Sequence, residues 1–147
     1  MSLKLISGSN KKLRTKSKEV ANTELELKKA VKFANKMLKT LEKYPYGCGL
    51  SAVQVGRMQR IFIIRYQGQK IICINPEIVS KSKKKDWMNE GCLSFPNQTK
   101  NIQRSVDISV KFYNGKEWAE PRMFDMFARI FQHEFDHLNG IVCMDKK

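Results

Sequence analysis

Gln132-His133-Glu134-Phe135-Asp136-His137 is the stretch on which the reading of this chain turns. Histidines four residues apart meet on one face only where the backbone between them is helical, since four residues make about one turn. Both imidazoles can then reach a single divalent cation. Glu134 leaves the helix about 100° around from His133, beside that cation as an acid or base rather than on it. The helix runs outward from the motif, back to Phe124 just after Pro121 and forward to Leu138, where Asn139-Gly140 stops it. The chain has only two histidines, and both fall in this motif, which weighs against a chance match on a surface helix.

A hydrolytic centre built this way needs a further protein ligand and an open position for water. Asp136 precedes His137 by one residue and points away from the shared histidine face. Glu90 and Cys92, in Glu90-Gly91-Cys92-Leu93-Ser94, are the other candidates, and spacing along the chain does not choose between them. Further upstream, Gly47-Cys48-Gly49-Leu50-Ser51-Ala52-Val53-Gln54 offers glycines that permit close backbone approach, against which an extended peptide can lie as an added strand. Met126 and Ile130 precede His133 by about two turns and one turn on the same face. They are expected either to line an apolar pocket beside the cation or to pack as ordinary core.

The rest of the chain supports an α+β layout. Thr23 and Glu26 form a capping-box pattern, followed by Leu27, Ala30, Val31, Ala34, Leu38 and Leu41 at helical spacing until Tyr44-Pro45. Residues 60–66 and 70–75 read as two strands joined at Gln67-Gly68-Gln69, with residues 77–80 continuing the sheet. Residues 106–113 alternate as a further strand, Val106, Ile108, Val110 and Phe112 facing one way, and Asn114-Gly115 supplies a turn. The expected architecture is an N-terminal helix, a mostly antiparallel sheet and a C-terminal helix carrying the metal motif. No repeat or linker divides residues 1–147, and that length suits one domain with a genuine core.

The first twenty residues are polar and basic, with no apolar run long enough for a signal peptide or a membrane span, so a cytoplasmic protein is expected. Four cysteines, at 48, 73, 92 and 143, form no CxxC pair and read as reduced thiols, with Cys73 and Cys143 inside apolar runs. Twenty-eight basic residues against 14 acidic ones leave a net charge of +14. The excess gathers at Lys11, Lys12, Arg14, Lys16 and Lys18, at Lys81, Lys83, Lys84 and Lys85, and at Lys146-Lys147. Such a field attracts polyanions, and contact with ribosomal RNA stands beside plain solubility as its reading. No RNA-binding fold signature accompanies the lysines.

Taken together, the three segments resemble those of peptide deformylases, over most of the chain from about Leu5 to Asp145. The resemblance implies hydrolysis of the formyl group from N-terminal formylmethionine of nascent polypeptides, with Cys92, His133 and His137 as metal ligands and Glu134 as acid and base. It assigns stabilisation of the oxyanion to the Gln54 amide and the Leu93 backbone N–H, and substrate binding to the backbone around Cys48, Gly49 and Gly91. It implies Fe²⁺ as the physiological metal, with Zn²⁺, Ni²⁺ or Co²⁺ as occupants after purification. Arg104 is expected to pair with Glu90, as the arginine downstream of this motif does in relatives. A monomer is expected.

Departures from the family pattern are Ser51, where alanine is usual, and Cys48, where an aliphatic residue is common. Only ten residues follow His137, whereas bacterial relatives carry a C-terminal segment associated with ribosome docking, a compactness reminiscent of phage-encoded forms. Two other functions are weighed. An HExxH endopeptidase draws its third ligand from a downstream His or Glu, and no histidine follows His137. A ribosome- or RNA-associated module with a structural metal would tolerate loss of Gln54 or Glu134, and both are present.

Overall fold

The computed structural model describes residues 3–147. Helix α1 (Glu24–Leu41) opens at Thr23, whose side chain accepts from the Glu26 backbone N–H at 3.3 Å, at the predicted cap. It ends at Leu41, short of the expected stop at Tyr44-Pro45, in a turn closed by Tyr44 N–H to Leu41 O at 2.9 Å. Eight strands follow: β1 (Gly49–Ser51), β2 (Ile61–Tyr66), β3 (Gln69–Lys81), β4 (Lys85–Cys92), β5 (Phe95–Ser105), β6 (Asp107–Tyr113), β7 (Trp118–Ala119) and β8 (Arg122–Phe124). Helix α2 (Asp125–Leu138) completes the α+β architecture.

The main sheet runs β1-β2-β3-β6-β7, with β8 also on β6, and every pairing is antiparallel. Along β2 each residue from Ile61 to Ile64 is fully buried. Ile61 and Ile63 pack towards α1, while Phe62 and Ile64 pack with Phe131 and Ile130 of α2. A strand apolar on both faces is a strand with a layer on each face, so the sheet separates the two helices. The expected hairpin at Gln67-Gly68 is present, but β3 runs on to Lys81. It does so through a bulge beyond Asn75, where φ is 49° and the side-chain amide holds the Val20 backbone at 2.8 Å on both its donor and acceptor sides.

Strands β4 and β5 form a separate two-stranded sheet that periodicity alone did not reveal. Residues 85–89 are all exposed, so no apolar alternation marks β4. Its far end places Glu90 and Cys92 beside α2. Past the C-terminal end of α2, Gly140 adopts φ 75°, and a side chain there would meet the Arg14 carbonyl at 2.8 Å, which accounts for the Asn139-Gly140 stop. None of the described helices is long and apolar enough to cross a membrane.

Candidate metal centre and active site

Helix α2 sets His133 and His137 one turn apart, with ring centroids 5.1 Å from each other. Cys92, at the end of β4, brings Sγ to 3.4 Å from His137 Nε2. The three donor atoms of Cys92, His133 and His137 lie within 4.8 Å of one another. Metal–nitrogen and metal–sulfur bonds of about 2.0–2.3 Å at tetrahedral angles put neighbouring donors roughly 3.5 Å apart, so the Cys92–His137 separation fits a shared ion.

The surroundings of these donors fit a cation as well. His133 Nδ1 lies 2.8 Å from Glu90 Oε1, so its proton donates to the carboxylate and Nε2 is left to face the cluster. Burial alone would make His133 less basic, but the Cys92 sulfur and Glu90 outweigh it and raise its pKa well above the ordinary value. The site therefore favours positive charge at that ring. His137 is pushed well below its ordinary value by burial and then by His133, which keeps it neutral, the form that ligates.

Glu90 and Asp136, the carboxylate alternatives, are engaged elsewhere. Asp136 accepts from Arg104 at 2.8 Å and Lys146 at 3.1 Å. Glu90 accepts from Arg104 through two hydrogen bonds, at 2.7 and 2.9 Å, and from Arg129 as well as His133. Burial would raise the pKa of Glu90, but the hydrogen bonds from His133 and Arg104 hold it down at about 2. A second cluster, Glu90 with His133 and Cys143, also falls within 4.8 Å. Two guanidiniums already sit on Glu90 there, and they would repel a cation. The expected Arg104–Glu90 pair is present.

Arg129 was not anticipated as its second partner. An arginine on the inward face of α2, four residues before His133, was the available signal, because a buried guanidinium requires a buried acid. Arg129 also reaches Asp86 at 2.7 Å and the Ile102 carbonyl at 3.0 Å, tying α2 to both strands of the small sheet.

Glu134 is 4% exposed, with Oε2 4.0 Å from His133 Nε2 and Oε1 buried without a hydrogen-bond partner. Burial pushes its pKa up to about 7, with His133 and Arg104 pulling the other way. Gly49 lies directly against this carboxyl: a Cβ there would stand 2.7 Å from Glu134 Oε2, so a larger residue would displace the carboxyl.

Gln54 lies on a short 3₁₀ turn (Ala52–Val55), and its amide orientation is determined by its neighbours. A backbone N–H can only donate, so the Ser51 N–H at 2.9 Å identifies the oxygen end, and the Ser51 hydroxyl adds a second bond at 3.1 Å. The nitrogen end points at Cys92 Sγ, 3.3 Å, and Ser94 Oγ, 3.2 Å. Ser51, first noted only as a departure, thus holds Gln54 in place.

A cavity of about 700 Å³ opens onto these groups. Leu93 and all five residues expected to contact substrate, Cys48, Gly49, Gly91, Met126 and Ile130, line it together with Gln54, His133 and Glu134. Met126 and Ile130 thus face the cavity as well as packing on the second core.

The sequence profile of the polypeptide deformylase family matches residues 2–147. The chain is 40% identical to the peptide deformylase of Thermotoga maritima over 91% of its own length and 80% of that protein's. The crystal structure of a peptide deformylase from the same organism superposes with a TM-score of 0.91 at 37% identity, covering 99% of this chain and 97% of that one. A probable peptide deformylase from Synechococcus phage S-SSM7 gives 0.89 at 32% identity, covering 98% and 99%. A Met-Ala-Ser-bound class I type b peptide deformylase from Acinetobacter baumannii gives 0.88 at 26%, covering 100% and 99%.

Proposed function

Because the chain belongs to the polypeptide deformylase family, we infer that Cys92, His133 and His137 hold a divalent metal, with Glu134 as acid and base beside it. The protein is a metal-dependent hydrolase that removes the formyl group from N-terminal formylmethionine of nascent polypeptides and releases formate. The observation that carries the site assignment is the convergence of the Cys92 sulfur and the His133 and His137 imidazoles, with Cys92 and His133 lining the cavity beside the unpartnered buried carboxyl oxygen of Glu134 and His137 buried behind them.

When bound, the ion supplies Lewis-acid chemistry, polarising the formyl carbonyl and making a water acidic enough to be deprotonated near neutral pH. Glu134 takes the proton from the attacking water and then gives it to the departing α-amine. The Gln54 amide nitrogen and the Leu93 backbone N–H donate to the oxygen on which negative charge develops. Met126 and Ile130 receive the methionine side chain, and the backbone of Cys48, Gly49 and Gly91 aligns the peptide. The Met-Ala-Ser seen in the Acinetobacter protein has the form of a deformylated product, and this cavity has room for such a peptide.

We assign Fe²⁺ as the working metal on the resemblance to the family, because a sulfur with two imidazoles suits Zn²⁺ equally well and the donor set alone does not choose. Every group in this scheme comes from residues 48–137 of one chain, in keeping with a single-domain monomer; the basic surface is suited to contact with the ribosome, and we read the protein as cytoplasmic because its substrates, nascent chains, are made there.

The test is anaerobic purification, removal of metal with a chelator, and reloading. Formate release from a formyl-Met peptide is expected to vanish in the apoprotein and to return with Fe²⁺, Ni²⁺ or Co²⁺ more fully than with Zn²⁺. A fully loaded protein that is inert with all four would overturn the mechanism.

The Ser51–Gln54 contact yields a smaller prediction. Ser51→Ala leaves the backbone N–H on the amide oxygen but removes the hydroxyl, and one hydrogen bond is worth about 0.5–1.5 kcal/mol. kcat is therefore expected to fall roughly 2- to 10-fold with KM nearly unchanged, as read by initial rates of formate release. An unchanged kcat would mean that the backbone contact suffices.

A further inference from the structure

Between Leu27 and Leu41, helix α1 carries five lysines and no acidic residue. All five, Lys28, Lys29, Lys32, Lys36 and Lys39, are exposed. Lys28, Lys32, Lys36 and Lys39 recur at spacings of four and three, so they stand in one row along the solvent face, roughly 16 Å long at 1.5 Å per residue. Lys28 and Lys29 are tied to Glu24 and Glu26, at 3.1 and 3.4 Å. Lys32, Lys36 and Lys39 have no carboxylate within ion-pair reach among the described residues.

Like charges three and four apart on a helix repel, and a face required only for solubility mixes the two signs. This row therefore weakens the isolated helix, and a polyanion would relieve it. The opposite face of α1, Leu27, Ala30, Ala34, Met37 and Leu41, is buried in the core, so the row is fixed in position and uncovered. Beyond Leu41 the chain passes through Tyr44 and Tyr46, which line the active-site cavity, so the row leads towards its mouth.

We propose that the α1 lysine row docks on the sugar-phosphate backbone of double-stranded RNA, holding the cavity mouth towards the RNA-rich particle that makes its substrate. This rests on the nascent-chain reading above. Lysine ammoniums are point charges suited to phosphate oxygens, and no aromatic side chain is exposed within α1 to stack on bases, so the contact is with backbone rather than sequence. A membrane-surface helix would turn its apolar face to lipid, and here that face is committed to the core.

The test compares the parent, Lys32→Gln/Lys36→Gln/Lys39→Gln, and a control of equal charge loss on the β3–β4 turn, Lys81→Gln/Lys83→Gln/Lys84→Gln. Binding to a short RNA duplex is followed by fluorescence anisotropy between about 50 and 200 mM salt. Each phosphate contact contributes close to one unit to the slope of log affinity against log salt. The α1 variant is expected to lose about three units, so that the parent's affinity falls roughly 40-fold more than the variant's across that range, while the control keeps nearly the parent slope. An unchanged slope in the α1 variant, equal losses in both variants, or tighter binding to phosphatidylserine vesicles than to the duplex overturns the proposal. Formate release from a formyl-Met peptide is expected to match the parent in both variants. No release from the parent itself would overturn the hydrolase reading, while the slopes still decide the docking face.

Discussion

Glu134→Gln is expected to lower kcat for formyl-Met peptide hydrolysis by about a thousandfold, inside the 10²–10⁴ range of positioned acid–base groups, with metal content unchanged. Glutamine keeps the volume of a side chain that is 4% exposed and sits against Gly49, where a Cβ would stand only 2.7 Å from the carboxyl. What it removes is proton transfer. In the parent, burial raises this carboxyl to about 7, so near neutral pH it accepts and returns a proton at comparable cost. Glu134 does not belong to the set of donors that meet within 4.8 Å of one another, so a bound ion would have no direct bond to it to lose. Metal analysis alongside formate release separates the outcomes. Loss of the ion together with activity would make Glu134 a ligand, and full activity with the ion in place would move the base to another residue.

Much of this site was legible in the sequence because its parts are local. The spacing of His133 and His137 is a helix property, and the cap at Thr23 and the alternation from Val106 to Phe112 follow from local backbone geometry, so those elements appear where expected. The third candidate ligand was different. Cys92 and Glu90 differ by two residues in one strand, and which of them meets the imidazoles depends on a sheet, β4–β5, whose exposed residues 85–89 give no apolar period. Spacing left that choice open and resemblance favoured Cys92. Two arginines engage Glu90, which supports the reading of Cys92 as the ligand. Arg129 and the role of Ser51 were missed for a similar reason. Each acts across the fold or through a side-chain rotamer, and neither leaves a mark in periodicity.

Glu90→Gln is expected to destabilise the protein by about 3–5 kcal/mol, the cost of leaving a buried charge without its counterion, and to lower Tm by roughly 6–20 °C at about 2–4 °C per kcal/mol for a chain of this size. The Glu90 side chain is 6% exposed and those of Arg104 and Arg129 are 4% and 5%, so the stranded guanidiniums would have little water to turn to. His133 would lose its carboxylate partner as well, so metal affinity is expected to fall by about 10- to 100-fold, as for other partners that orient a ligating histidine. The pH dependence gives an independent reading. Glu90 titrates at about 2 in the folded protein against an ordinary value of 4.5, so its contribution is fully present above about 4.5 and fades as pH falls towards 2. Urea unfolding of the metal-free parent should therefore show stability falling across that window. The metal-free Glu90→Gln protein should start lower and lose less over the same interval. Parallel acid limbs in the two proteins would place the acid sensitivity in other carboxylates. A destabilisation under 1 kcal/mol would mean that the arginines find other acceptors, with Asp86 and Asp136 the nearest candidates.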